Sequence, residues 1–198
     1  MLYLFDLDGT LVYTDPLHFD LWKAILSFYG IELTESMYST RIRGKDDLSI
    51  WQEFDIGTTD ERTHWNQWKE LEFEKRVMET LPVKGGKEFI ERKVKEECLV
   101  GVVTNSNQKT ATLLLNRLGI TSLLNILITS DQCTEPKPSP APYLTAMNAL
   151  GVSADNTVIF EDSSVGIRSA LAANPRQLYV IQKKRTVSDK IIYIPDYT

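Results

Sequence analysis

The chain has 198 residues, 42% of them apolar and 25% charged, which suffices for one packed core or for a core carrying an insertion. A formal net charge of −5 argues against a general binder of nucleic acid or of anionic membrane surfaces, and the compact basic run Lys183-Lys184-Arg185 reads as a solvated loop. No segment approaches a membrane span, the N-terminus lacks a signal-peptide pattern, and Cys98 and Cys133 form no metal or redox motif, so a cytoplasmic protein with two buried free thiols is expected.

In chain order, the apolar run Leu2–Phe5 predicts a buried strand that ends on Asp6-Leu7-Asp8-Gly9-Thr10. Helical patterns follow. Asp15-Pro16 opens a helix that runs to Tyr29 and stops at Gly30, Thr34 caps a second, Asp46–Phe54 forms a third, and the capping box Thr58-x-x-Glu61 opens a long fourth reaching about Thr80. Lys84-Gly85-Gly86 marks the return to a core helix through Glu97. Strands are expected at Leu99–Val103, Ile126–Thr129, Thr157–Phe160, Leu178–Ile181 and Ile191–Ile194, with helices at Asn107–Leu118, Pro140–Leu150 and Ser163–Ala173 between them. The strand runs are continuous rather than alternating, as befits strands covered on both faces, and alternation of strand with helix implies a largely parallel sheet.

The stretch from Asp6 to Leu99 far exceeds the dozen or so residues that a crossover needs. The expected architecture is therefore α/β: a Rossmann-like parallel sheet core, residues 1–13 and 82–198, with an all-helical cap, residues 14–81, inserted after the first strand.

Four chemical clusters fall at strand ends: Asp6 with Asp8, Thr104-Asn105-Ser106, Lys137 between prolines, and Glu161-Asp162. Each has a bland reading as a turn, a helix cap or a surface lysine. Their joint placement points elsewhere, because ligands of open parallel sheets bind beyond the carboxyl ends of the strands. Convergent carboxylates need a cation, and hard oxygen ligands suit Mg²⁺; a hydroxyl, helix N-terminal amides and a lysine suit a phosphate.

The runs DLDGT (Asp6–Thr10), VVTNS (Val102–Ser106), KPSP (Lys137–Pro140) and FEDSSVGI (Phe160–Ile167) resemble, in order and at suitable spacing, the four motifs of the haloacid dehalogenase superfamily. A helical cap between the first two motifs resembles the subgroup of phosphoglycolate phosphatase, sugar-phosphate phosphatases and beta-phosphoglucomutase. The resemblance implies Asp6 as the nucleophile and Asp8 as the general acid and base. It also implies Thr104, the Asn105 amide and Lys137 as the phosphoryl clamp. Asp6, the Asp8 carbonyl and Asp162 would bind Mg²⁺, with Glu161 bound directly or through water. The second aspartate, Asp8, argues against true dehalogenation.

By the same resemblance the cap sets the substrate. Thr14, His18 and Trp22 share one helical face; Arg41, Arg43 and Lys45 flank Gly44 where the subgroup has a specificity loop; Lys69 resembles a cap lysine that meets substrate. Trp22, Trp51, Trp65 and Trp68 read as cap core. The chain departs from the family at Ala172-Ala173-Asn174-Pro175 and beyond Ile181. A phosphatase of a small phosphorylated metabolite is the leading expectation. A sugar phosphomutase follows it, and a non-catalytic phosphate-binding or interaction module is the reading from another class.

Overall fold

The computed structural model describes residues 1–182 and 191–198, so the basic run Lys183-Lys184-Arg185 lies outside the described residues. Strand β1 (Leu2–Phe5) leads through a tight loop to β2 (Val12–Tyr13) and then to helices α1 (Asp15–Phe28), α2 (Glu35–Met37), α3 (Asp47–Phe54) and α4 (Thr59–Arg76). The chain returns through β3 (Leu81–Pro82) to α5 (Gly86–Lys95), β4 (Leu99–Val103), α6 (Gln108–Leu118), β5 (Ile126–Ile128) and α7 (Ala141–Ala149). It ends with β6 (Thr157–Glu161), α8 (Ser164–Ala172), β7 (Gln177–Ile181) and β8 (Ile191–Ile194).

Six of these strands form one parallel sheet in the order β5-β4-β1-β6-β7-β8. The continuous apolar runs have their cause here. Successive side chains of β1 point to opposite faces, and both faces are covered. Phe5 joins Val102, Ile90 and Leu114 under α5 and α6, whereas Leu2 and Leu4 join Tyr143, Met147 and Ala170 under α7 and α8. Phe5, Phe160 and Tyr179 stack across three neighbouring strands with ring centroids 4.7 and 4.9 Å apart.

The helical insert has a core of its own, built on Trp22, Ile25, Leu33, Ile42 and Trp51, with Trp65 and Trp68 packed against it. Its caps follow the local chemistry: Asp46 accepts from Ser49 N (3.1 Å) to open α3, and Thr58 and Glu61 form the reciprocal box that opens α4. α4 ends earlier than expected, at Arg76, and a 3₁₀ turn, Val77–Glu79, completes the run. α2 is a single turn that widens into a π-helical turn, Tyr38–Ile42, immediately before Arg43.

The sequence pattern missed the antiparallel pair β2–β3, which joins Val12 to Pro82 and Tyr13 to Leu81 at the two crossings between sheet and insert. Two-residue strands are too short to show a period. Cys98 and Cys133 are free thiols as expected, but half-buried.

Candidate active site

β1 delivers its first acid directly. Asp6 N donates to the Phe160 carbonyl (2.9 Å), so pairing continues one residue past the strand and fixes Asp6 at its carboxyl end. The chain then turns sharply at Gly9, whose φ of +84° and close approach to the Asp162 carboxylate both demand a residue without a Cβ. Thr10 donates from its hydroxyl to Asp162 (3.3 Å), and the half-buried Tyr197 donates to the Thr10 carbonyl (3.2 Å), so the C-terminal segment braces the loop.

Three carboxylates converge there. Asp6, Glu161 and Asp162 are buried and present oxygens within 4.8 Å of one another. Burial, then the neighbouring Glu161 charge, push the Asp6 carboxyl up to about 7 even with Lys137 beside it. Burial and the Asp6 charge likewise push Asp162 well above the ordinary carboxylate range. Three hard oxygen donors in this mutual strain fit a divalent cation, whose charge would relieve the repulsion.

Stripped of divalent cations by chelator, the protein should therefore lose stability as pH rises. Asp6 and Asp162 bind protons more tightly folded than unfolded, so the stability they contribute is full below about pH 4 and is lost as pH rises, for Asp6 through about 7. The expected result is a melting temperature that falls from about pH 5 to about pH 8 in chelator and is raised at the upper end by Mg²⁺. A profile that is flat in chelator and unmoved by Mg²⁺ would contradict a cation site here.

Lys137, 2% exposed, sits among these acids and donates to Asp6 Oδ1 (2.8 Å), to the Val103 carbonyl (2.7 Å) and to Glu161 Oε1 (2.6 Å). Burial alone would lower its pKa, but Asp6 and Glu161 outweigh that and hold it charged. Glu161, fully buried, also accepts from the Tyr143 hydroxyl (2.8 Å) and from Asp162 N (3.1 Å), so most of its acceptor capacity is used by the protein. α8 makes room for it with Gly166, where a Cβ would meet the Glu161 carboxylate.

Asp8 is held differently. One oxygen accepts from Thr14 (2.6 Å) and faces His18 Nε2 (3.3 Å); the other accepts from Ser106 (2.6 Å) and Thr104 (3.4 Å). Burial raises its pKa, but the hydrogen bond and charge of His18, then Ser106 and Thr14, more than reverse this and bring it down to about 2. The two aspartates of one loop are thus pushed in opposite directions by their surroundings, which is how a site separates two carboxyl roles.

The helical insert closes over this end of the sheet. Asn105 donates from its side-chain amide to the Gly44 carbonyl (2.9 Å) and the Lys137 carbonyl (3.0 Å), tying the insert loop to the lysine loop. Arg43 reaches down to Asp162 and also contacts Asp15 (3.0 Å). Lys45 pairs with Glu53 (3.0 Å), which also holds Arg41, and Lys69 pairs with Asp47. The cleft between insert and sheet, about 370 Å³ and partly open to solvent, is lined by Asp6, Asp8, His18, Arg43, Lys45 and Lys69 together with Thr104 and Asn105.

The structure thus gathers the predicted core residues Asp6, Asp8, Thr104, Asn105, Lys137, Glu161 and Asp162 at one end of the sheet, with Thr14 and His18 against Asp8. Of the predicted cap residues, Lys45 and Lys69 line the cavity but are already engaged, and Trp22 is buried against Trp51. The sequence pattern gave no individual site role to Ser106, Tyr143, Asp15, Asp47 or Tyr197. Ser106 lay inside the Thr104-Asn105-Ser106 cluster and Asp15 read only as the start of a helix; the other three carry no local signal.

The sequence model of the haloacid dehalogenase-like hydrolases matches residues 3–180. A phosphorylated carbohydrates phosphatase of Thermotoga maritima is 28% identical over 184 residues, covering 89% of this chain and 82% of that protein. A fructose-1-phosphate phosphatase of Escherichia coli is 27% identical over 176 residues, covering 86% of this chain and 90% of that protein. Among solved structures, beta-phosphoglucomutase from Clostridium difficile superposes with a TM-score of 0.81 at 21% identity, covering 91% of this chain and 84% of that one, which shows a common fold. With the match spanning nearly the whole sheet and its helical insert, the chain belongs to the haloacid dehalogenase-like hydrolases.

Proposed function

We propose that this hydrolase is a Mg²⁺-dependent phosphatase that removes phosphate from a small phosphorylated metabolite through an aspartyl phosphate on Asp6. The observation that carries the reading is the pairing of two opposed carboxyl environments: Asp6 in a cation-seeking cluster with Lys137, and Asp8 held by hydroxyl and imidazole groups in the same cavity. Relatives named as phosphatases of sugar phosphates support it. The antiparallel pair β2–β3 supports a division into a core of residues 1–13 and 82–198 and a cap of residues 14–81.

In this reading a carboxylate oxygen of Asp6 attacks phosphorus, the bond from phosphorus to the alcohol oxygen breaks, and Asp8 gives that oxygen its proton. Water then attacks the phosphorus, Asp8 takes the water's proton, and the acyl phosphate bond breaks to return the Asp6 carboxylate. The ionised Asp8 of this structure suits the second half. For the first half it must gain a proton, which requires its four donors to loosen. Lys137 orients Asp6 and balances its charge, while Thr104 and the Asn105 amide face the incoming phosphoryl group. Asp6 and Asp162 would hold the cation, which when bound neutralises charge on the phosphoryl oxygens. Glu161, committed to Lys137 and Tyr143, serves chiefly to anchor the lysine.

Phosphate release from a panel of small phosphomonoesters, with Mg²⁺ and with chelator, tests the reading; release that ignores chelator contradicts it. Within that panel Asp8→Asn should lower kcat/KM, which reports the transfer to Asp6 and not the later hydrolysis, about 10²–10⁴-fold for esters of poorly acidic alcohols and much less for p-nitrophenyl phosphate, whose leaving group needs no proton. An equal loss on both would remove Asp8 as the general acid.

A further inference from the structure

The cavity carries a charge pattern that bears on what can enter it. Among the described residues, three cationic side chains line it, Arg43, Lys45 and Lys69, against seven carboxylates. Each of the three has an acidic partner outside the proposed cation cluster: Arg43 has Asp15, Lys45 has Glu53, and Lys69 has Asp47. Lys69 is held most tightly. It is buried, its ammonium lies over the Trp22 ring (5.0 Å to the centroid), and Asp47 sits at the first turn of α3, next to the capping Asp46. The rest of the wall mixes apolar side chains such as Ile42, Leu48 and Phe73 with His18 and with polar or acidic ones, among them Asn66, Asn107 and Glu70, the last accepting from Asn107 (2.7 Å).

We infer that this wall selects phosphomonoesters whose alcohol portion is uncharged and hydroxyl-bearing, and that the Asp47–Lys69 pair is the element that turns away substrates with a second anionic group. This rests on the phosphatase reading and narrows it. A carboxylate or a second phosphate entering the cavity must either break one of the three ion pairs or lie unpaired among acids, and both are costly in a partly desolvated space. A polyol meets no such cost, since amides and carboxylates of the wall accept and donate to hydroxyl groups. The same neutralisation disfavours a phosphomutase, whose bisphosphate intermediate needs a free cation at each end.

Glycerol 3-phosphate and 3-phosphoglycerate provide the test, because they differ chiefly in a hydroxymethyl group against a carboxylate. The full-length protein with Mg²⁺ should turn over glycerol 3-phosphate with a kcat/KM about tenfold or more above that for 3-phosphoglycerate. Asp47→Asn, which frees the Lys69 charge, should narrow that ratio about tenfold, mainly through a lower KM for 3-phosphoglycerate. Adding Lys69→Gln to Asp47→Asn should abolish the gain, which a merely structural effect of Asp47→Asn would not predict. Titration of the same two ligands against tryptophan fluorescence reads the preference without turnover. Binding in the predicted order with no hydrolysis by any variant would sink the phosphatase reading and leave the charge inference standing. A wild-type preference for 3-phosphoglycerate, or a ratio unmoved by Asp47→Asn in both measurements, would overturn the inference.

Discussion

Asp6→Asn is expected to lower kcat by about 10⁵-fold or more while leaving the fold intact. The amide cannot attack phosphorus to give an acyl phosphate, and no other carboxylate of the cluster is placed to replace it. Asp162 is bound by Arg43 and Thr10, and Glu161 by Lys137 and Tyr143. Stability should not suffer. Burial and Glu161 already push the Asp6 carboxyl up to about 7, so a neutral side chain of the same shape removes repulsion, and its oxygen still accepts from Lys137. The melting temperature of the variant in chelator near neutral pH should equal or exceed that of the parent. Phosphate release within tenfold of the parent would place the nucleophile elsewhere.

Lys137→Ala should have the opposite profile, with a large loss of stability accompanying the loss of activity. Its ammonium is the charge that Asp6 and Glu161 share, and it also satisfies the Val103 carbonyl. Removing one partner of a buried ionic network leaves the others uncompensated, at a cost of about 3–5 kcal/mol. For a chain of this length that corresponds to a fall of roughly 10 °C in melting temperature. The loss should be greatest above about pH 7, where Asp6 must ionise, and smaller near about pH 5, where its protonation removes the repulsion. Adding Glu161→Gln to Lys137→Ala should recover part of the stability by deleting the charge left behind. A melting temperature within 2 °C of the parent for Lys137→Ala would show that the network contributes little to folding.

Much of this arrangement was legible in the sequence because its signals are local. The strands are continuous apolar runs, since both faces of the sheet are buried, and the helices carry their caps within a few residues, as Asp46 and Thr58 do. The candidate site was legible because a parallel sheet brings its strand ends to one edge, so Asp6, Thr104, Lys137 and Glu161-Asp162 had to meet. What escaped depends on contacts far apart in the chain. Tyr143 reads as one more apolar residue of α7 until the fold sets its hydroxyl on Glu161. Arg43 reads as a cap residue, and only the closed insert brings it to Asp162, 119 positions away. Tyr197 lies in a segment with no familiar pattern, yet it braces the Thr10 loop. The β2–β3 pair was invisible for lack of length.

The covalent intermediate expected on Asp6 can be caught directly. A single turnover with Mg²⁺ and a hydrolysed substrate, quenched in acid within milliseconds and digested, should yield the peptide bearing Asp6 heavier by one phosphoryl group. The added mass should map to Asp6, vanish on treatment with hydroxylamine, and be absent from Asp6→Asn. A reaction that releases phosphate in the first turnover with no such peptide at any quench time, or with the label on another residue, would contradict the account.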